Sequence, residues 1–140
     1  MAKKRYEEVE HTADIRLKVY GADEKELFSN GAFALFDRMV DLDGVHDVFT
    51  DEIEAEGGDL EETLINFLSE LLWRFDARHR VYRECRIAEL SPGRVRSLCI
   101  GEEFDPARHH ARQGIKAVTF HDVKITRTGK RLSVVITFDV

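Results

Sequence analysis

Residues 59–78 carry the most regular apolar pattern in the chain, and its period is that of a helix. Large apolar side chains recur every three or four residues, which places them on one wide face. These residues are Leu60, Leu64, Phe67, Leu68, Leu71, Leu72 and Phe75. Asp59 and Glu62 have the spacing of a capping box, and Arg74 and Arg78 suit the last turn. Because so wide an apolar face has to be buried, the rest of the chain must supply a second layer.

The remaining segments predict one more helix and several strands. Residues 23–40 repeat the helical pattern, and Asp23 and Glu26 again have capping-box spacing. Short apolar or alternating runs predict strands at 6–20, 48–55, 81–90, 95–103, 115–127 and 131–139. We therefore predict an α+β fold that forms a single domain over residues 1–140. It has two layers, in which two helices pack on a mostly antiparallel or mixed β-sheet of about six strands.

Length and composition limit the class of protein. A chain of 140 residues with 43% apolar residues can build one core, which argues against disorder. No apolar run approaches the roughly 18 residues that a membrane-spanning helix needs, and no signal-type segment follows Met1. The two cysteines, Cys85 and Cys99, fall in predicted strands, where we expect them to be small buried hydrophobes. We expect a soluble cytoplasmic protein with no membrane partner.

The charge is distributed unevenly along the chain. The net charge of −6 argues against general binding to nucleic acid. Residues 1–70 hold 7 Lys and Arg against 19 Asp and Glu, whereas residues 71–140 hold 14 against 8. The basic second half has two open interpretations: an ordinary solvated surface, or a basic face that meets an acidic partner or RNA.

Two polar segments stand out at the predicted strands. In residues 10–15 (EHTADI), His11 and Asp14 lie three apart where a strand begins, although a turn closed by side-chain hydrogen bonds would also explain them. In residues 116–122 (KAVTFHD), a His121–Asp122 pair falls inside a predicted strand, which an edge strand or bulge would also explain. The adjoining His109 and His110 lie in a predicted loop, where we expect them to be exposed.

The end of the last predicted strand brings further oxygen atoms together. Asp139 is followed by Val140, and carboxylate or carbonyl oxygens are the ligands of hard cations such as Ca²⁺ and Mg²⁺. One more carboxylate from another strand would complete a minimal set of ligands. Nothing in the spacing selects Asp14 for that role among the 27 acidic residues.

Together these segments resemble the signatures of the archease family. EHTADI is similar to the family's first signature, and KAVTFHD to its second, which usually reads KAITYHD. The FLSELL run at residues 67–72 and the ending FDV also resemble the family, in the same order and over nearly the whole chain. Val118 and Phe120 stand where members usually have Ile and Tyr.

The resemblance implies a specific function. Archeases activate the tRNA-splicing ligase, which joins a 2′,3′-cyclic phosphate or 3′-phosphate RNA end to a 5′-hydroxyl end. That ligase is guanylylated on a histidine with GTP and manganese, and the archease promotes guanylylation and repeated turnover. The resemblance thus implies a non-catalytic activator whose partner is the ligase and which meets tRNA only indirectly.

The resemblance also implies a metal site. Its ligands would be Asp14, Asp139 and Val140, with Ca²⁺ as the expected ion and Mg²⁺ or Mn²⁺ as alternatives. Further candidates for contact with the partner are His11, Glu70, Lys116 and His121. Three other functions stay open: a chaperone or general modulator of nucleic-acid-processing enzymes, a small metal-dependent hydrolase, and direct tRNA binding through the basic second half.

Overall fold

The computed structural model describes residues 4–11 and 14–140, except for the side chains of Glu10 and His11. The first half contains β1 (Tyr6–His11), β2 (Ile15–Gly21), α1 (Glu24–Met39), a 3₁₀ turn (Leu42–Gly44), β3 (Phe49–Glu56) and α2 (Leu60–Arg78). The second half contains β4 (Arg80–Ser91), β5 (Arg94–Glu103), β6 (Ala117–Thr119), β7 (Thr126–Thr128) and β8 (Arg131–Asp139). Within these residues, no helix is long and apolar enough to cross a bilayer.

The strands form two antiparallel sheets. In the five-stranded sheet the order is β1-β2-β8-β6, and β7 also pairs with β8. In the three-stranded sheet the order is β3-β5-β4. Each helix contacts both sheets, since α1 packs on β2 and β4 while α2 packs on β3 and β6. The predicted α+β class and its two packed helices are confirmed.

The strand count differs from the prediction of about six because two predicted strands are interrupted. Residues 6–20 form two strands, in which His11 pairs with Ile15 across the reversal. Residues 115–127 contain only β6 and β7, and the segment between them bends at Asp122, whose φ is 52°. Alternation of apolar residues continues across a reversal, so a hairpin and a single long strand have the same pattern.

Both helices begin where the capping pattern predicts. The Asp23 carboxylate accepts a hydrogen bond from the Glu26 N–H at 2.8 Å, and Asp59 accepts one from Glu62 at the same distance. α2 ends at His79, which adopts a left-handed conformation with φ 56° and ψ 36°. The Asp23 and Asp59 side chains satisfy backbone N–H groups that the first turn of a helix leaves without partners.

The core lies where the helices meet the sheets. Phe28 of α1 stacks against Phe67 of α2, with ring centroids 6.0 Å apart. On β8, the predicted inward residues Leu132, Val134, Ile136 and Phe138 are buried, and Ser133 and Thr137 on the other face are buried as well. Cys85 and Cys99 are buried as expected, and they also form a disulfide between directly opposed positions of β4 and β5, which the sequence did not predict.

Candidate functional site

Asp14 and Asp139 lie at the same end of two adjacent strands. β2 and β8 are antiparallel, and Ile15 is the register partner of Phe138. Asp14 precedes Ile15 and Asp139 follows Phe138, so the two acids lie opposite each other, one position beyond this register pair. Asp139 is exposed and Asp14 is partly exposed, which leaves both carboxylates open to solvent. We call this end of the sheet, with Asp14, Asp139 and Val140, the carboxylate end.

Lys116 joins the carboxylate end from a third segment. Its backbone N–H donates a hydrogen bond to the Asp139 carbonyl at 2.7 Å, and the next residue, Ala117, is the register partner of Asp139. The Lys116 side chain is exposed, whereas Val140 packs against the core with part of its surface. Three segments that are far apart in sequence thus place Asp14, Asp139 and Lys116 at one edge of the sheet.

A cavity of about 250 Å³ lies beside the carboxylate end, between α2 and β6. It is lined by Ser69, Leu72, Trp73, Asp76, Lys116, Ala117 and Val118. Trp73, the only tryptophan, is 48% exposed, and the Arg78 guanidinium lies 5.3 Å from its ring centroid. Burial raises the pKa of the Asp76 carboxyl. An exposed aromatic ring beside an open cavity is a typical anchor for a partner protein.

The donor atoms at the carboxylate end fit a hard cation. Two carboxylates and the main-chain oxygen of Val140 are the oxygen ligands that Ca²⁺ and Mg²⁺ prefer, and so few protein ligands leave positions for water or a partner. Within the part of the chain that the structure describes, no three His, Cys, Asp or Glu side chains come together as a metal cluster. A metal held here would therefore depend on main-chain oxygen as well as on Asp14 and Asp139.

The other predicted contact residues lie elsewhere or outside the described side chains. The side chain of His11 lies outside the described residues. Glu70 accepts a hydrogen bond from Arg74 Nε at 2.9 Å and does not line the cavity beside Lys116. His121 follows the end of β6 that is farther from Asp139, and its side chain is 76% exposed. The prediction that His121 lies inside a strand is wrong, because β6 ends at Thr119.

A buried polar cluster lies away from the carboxylate end, and sequence reasoning missed it. His109 is only 3% exposed, so the prediction of an exposed histidine is wrong. Its Nδ1 accepts the Asp105 N–H at 2.8 Å, which leaves Nε2 to donate to Glu102 at 3.0 Å. Glu102 also accepts hydrogen bonds from the His46 N–H and from Arg108. The contact between His46 and Glu102 gives only a weak signal in the sequence, because the two residues are 56 positions apart.

We expect Glu102→Gln to reduce stability at neutral pH. Hydrogen bonding from Arg108 leads the causes that lower the pKa of Glu102 from 4.5 to about 2. A carboxyl whose pKa is lower in the folded protein contributes stability above its unfolded pKa, and that contribution is lost as pH falls from 4.5 towards 2. Losing a charged hydrogen-bond acceptor costs about 2 kcal/mol. Urea unfolding at pH 7 and pH 3 measures this difference.

The exposed neighbour Glu103 provides the matched control, because Glu103→Gln changes the same charge one residue away. We expect Glu103→Gln to unfold like the wild type at pH 7. The difference between the two variants should shrink at pH 3. Equal free energies of unfolding for both variants at pH 7 would contradict the role of Glu102.

Five arginines of the basic second half are paired with acidic residues of the first half. Arg83 bonds Asp47 at 2.5 Å, and further pairs join Arg80 to Asp51, Arg94 to Glu54, Arg96 to Glu52 and Arg112 to Asp37. Each of these pairs joins the two halves of the sequence. The charge asymmetry thus reflects ion-pair partners that are distant in sequence, and these arginines do not form an unmatched basic face.

Comparisons with known proteins identify related sequences. The model of the Archease protein family matches residues 6–140. The chain is 41% identical over 127 residues to the protein archease of Pyrococcus abyssi, covering 89% of each chain, and 39% identical over 129 residues to that of Methanopyrus kandleri, covering 90% of this chain and 92% of the relative.

Two solved structures share the fold. The solution structure of Methanobacterium thermoautotrophicum protein 1598 has a TM-score of 0.80 and 28% identity, over 97% of this chain and 99% of that one. A Thermotoga maritima archease, described as a possible chaperone, has a TM-score of 0.66 and 20% identity, over 100% and 98%. The latter likeness concerns the fold alone.

Proposed function

The chain belongs to the archease family, and from that premise we propose that it activates the tRNA-splicing RNA ligase. In this proposal it promotes guanylylation of the ligase histidine and repeated joining of 3′-phosphate or 2′,3′-cyclic phosphate ends to 5′-hydroxyl ends. In this activity it is a non-catalytic partner of the ligase and meets tRNA only through it. The same premise gives it a role in tRNA splicing in the cytoplasm.

The observation that carries the proposal is the convergence of both family signatures at the carboxylate end. Asp14 belongs to the first signature and Lys116 to the second, and the strand register brings each of them next to Asp139. A solvated group of two carboxylates and one ammonium group has no role in the core. Its exposure suits entry into the cleft of another protein.

The proposed metal is a divalent cation, with Ca²⁺ first and Mg²⁺ or Mn²⁺ as alternatives. Asp14 and Asp139 would hold it with their carboxylates, and Val140 with a main-chain oxygen. The bound ion would supply a concentrated positive charge with open coordination positions. The chain's own contribution is to keep the two carboxylates adjacent, because β2 and β8 hold them in register.

The neighbouring groups have distinct roles in docking. The Lys116 ammonium group is a mobile cation suited to a phosphate or carboxylate of the ligase site. Trp73 and its cavity offer an apolar anchor beside the charged end. Apolar contact then gives affinity, while the charges set the orientation of the two proteins.

We expect the metal to be detectable without the ligase. Tb³⁺ occupies Ca²⁺ sites and emits when a nearby tryptophan is excited, and Trp73 lines a cavity together with Ala117, the register partner of Asp139. Excitation of Trp73 should therefore give Tb³⁺ emission that Ca²⁺ competes away and that Asp139→Asn lowers at least fivefold. Emission that is equal in the wild type and in Asp139→Asn would contradict this site.

Guanylylation is the direct test of the proposed function. The ligase is incubated with labelled GTP and Mn²⁺, and the covalent guanylate on its histidine is followed with and without this protein. We expect a faster rate with the wild type and no gain with the double variant Asp14→Asn/Asp139→Asn. An unchanged rate with the wild type would reject the proposal.

A chaperone function is the second candidate, since the Thermotoga relative is described as a possible chaperone. Exposed large apolar residues are what such a role would use: Val9, Val48, Trp73, Leu98 and Phe120. They lie on or beside different elements and do not form one strip along a single strand or helix, and single exposed apolar residues are normal. Suppression of aggregation of an unrelated protein, with no ligase present, would favour this candidate.

A further inference from the structure

The five-stranded sheet has a second polar end, opposite the carboxylate end. Gly21 of β2 is the register partner of Leu132 of β8, and Thr128 pairs with Arg131 across a tight turn. Gly129 in this turn has φ 65°, which favours glycine. The β2–β8 ladder runs over seven register pairs from Ile15 to Gly21. At about 3.4 Å per residue, its two ends are roughly 20 Å apart.

A cavity of about 330 Å³ lies at this second end. Its main polar lining is Lys4, Tyr20, Glu26, Thr128, Lys130 and Arg131. Its volume lies within the range of small-molecule sites, which begins at about 300 Å³. We call this space the basic cavity, because three of these side chains are cationic and one is anionic.

The cations of the basic cavity have fewer carboxylate partners than the arginines of the three-stranded sheet. In the three-stranded sheet, Arg94 bonds Glu54 at 2.5 Å and Arg96 bonds Glu52 at 2.7 Å. Lys130 and Arg131, by contrast, form no ion pair with a carboxylate of the described residues. Lys4 pairs with Glu7 at 3.0 Å, and both side chains are exposed.

The one carboxylate of the cavity is already engaged. Glu26 Oε1 accepts the Ala22 N–H at 2.9 Å as part of the capping box of α1. Arg131 is held in place, because its guanidinium lies 3.9 Å from the centroid of the Tyr20 ring. Tyr20 is fixed in turn by a hydrogen bond from its hydroxyl to Glu7. Stacking orders the guanidinium plane while its N–H groups stay available to a ligand.

We propose that the basic cavity binds a chain of phosphate groups. A planar arginine fork pairs with phosphate oxygens in bidentate fashion, and lysines add point charges without demanding a fixed geometry. The Thr128 hydroxyl supplies a neutral donor on the same rim. A single carboxylate ligand would leave most of the positive charge unmatched, whereas successive phosphates match it.

Two sources offer this chemistry: an RNA backbone and a free polyphosphate. The site lies at the other end of the sheet from Asp14 and Asp139, so it can be filled while the carboxylate end is engaged. The proposal therefore does not depend on the proposed function. Because phosphate contacts release counterions, binding should weaken steeply as salt rises.

Calorimetric titration of the full chain tests the proposal, with inorganic tripolyphosphate and a single-stranded RNA 12-mer as separate probes. Lys130→Gln is the main variant, since Lys130 is exposed and its loss leaves the core untouched. Arg131→Gln is the second variant. Arg94→Gln is the matched control, because it removes one positive charge from the other sheet.

We expect Lys130→Gln and Arg131→Gln each to weaken binding at least fivefold, and Arg94→Gln to leave it within twofold of the wild type. Binding of tripolyphosphate alone would identify a free polyphosphate as the ligand, and binding of RNA alone would identify an RNA backbone. Absence of binding to both probes would overturn the proposal. Equal weakening by Lys130→Gln and Arg94→Gln would also overturn it, because binding would then depend only on the overall charge of the protein.

Discussion

Asp139→Asn is expected to lower stimulation of the ligase at least tenfold while the protein stays folded. The side chain is exposed and follows the last register pair of β8, so the substitution removes no core contact. An amide keeps the shape of the carboxylate but loses the charge that binds a cation. Asp14→Asn should have the same effect, because it removes the adjacent carboxylate. The measurement is the initial rate of RNA joining at a fixed concentration of ligase.

The double variant distinguishes a shared site from two separate contributions. If one ion or one partner group is held by both carboxylates, Asp14→Asn/Asp139→Asn should be no worse than the stronger single variant. Asp43→Asn, an exposed acid on the 3₁₀ turn, is the charge-matched control and should stimulate like the wild type. Full stimulation by both single variants would contradict the role of the carboxylate end.

Among the glycines, Gly101 is the one whose replacement by alanine is expected to destabilise the fold most, because its added Cβ has the closest contact. Gly101 lies on the central strand β5, between Phe49 of β3 and Tyr82 of β4. A Cβ atom there would stand 1.9 Å from the Val81 carbonyl oxygen and 2.8 Å from the Tyr82 Cα, which are backbone atoms that cannot rotate away. We expect a loss of about 3 kcal/mol, seen as a fall of about 10 °C in Tm.

Gly114→Ala adds the same methyl group where nothing lies within 4 Å, so it is the matched control. Its Tm should stay within about 2 °C of the wild type, as is usual for surface changes. Thermal unfolding followed by circular dichroism compares the three proteins. A Gly101→Ala protein as stable as Gly114→Ala would show that β4 and β5 are not packed this closely.

The helices could be predicted from sequence because their signals are local. Asp59 and Glu62 are three residues apart, and the hydrogen bond between them forms within one turn. The strand pairing could not be predicted in this way. β8 pairs with β2 from the opposite end of the chain, so the register depends on packing that no short window of sequence contains. The single predicted strand at 6–20 is wrong for a local reason, because the alternating pattern does not reveal the reversal between His11 and Ile15.

In the candidate site, too, the arrangement of the residues could not be predicted from short stretches of sequence. Spacing alone offered no reason to pair Asp14 with Asp139, and only the family resemblance linked them. The register of β2 and β8 supplies the physical basis, because it makes them neighbours. His109 was predicted to be exposed from its polar loop, yet it is buried because Glu102 and the Asp105 N–H satisfy both ring nitrogens. Both partners lie within seven residues of His109, but no regular spacing identifies them as its partners.

The charge asymmetry between the halves also has a structural explanation. β3 carries acids and β5 carries arginines, and β3 is paired with β5 along its whole length. Ion pairs such as Arg94–Glu54 therefore match the two halves across one sheet. Lys130 and Arg131, which form no ion pair within the described residues, lie at the end of the sheet opposite Asp139.

The number of RNA molecules joined per ligase molecule tests the central claim most directly. With RNA in large excess, the account predicts about one joining event per ligase without this protein and many events with it. The gain should be lost with Asp14→Asn/Asp139→Asn and kept with Asp43→Asn. The same number of joined molecules with and without the wild-type protein would contradict the account.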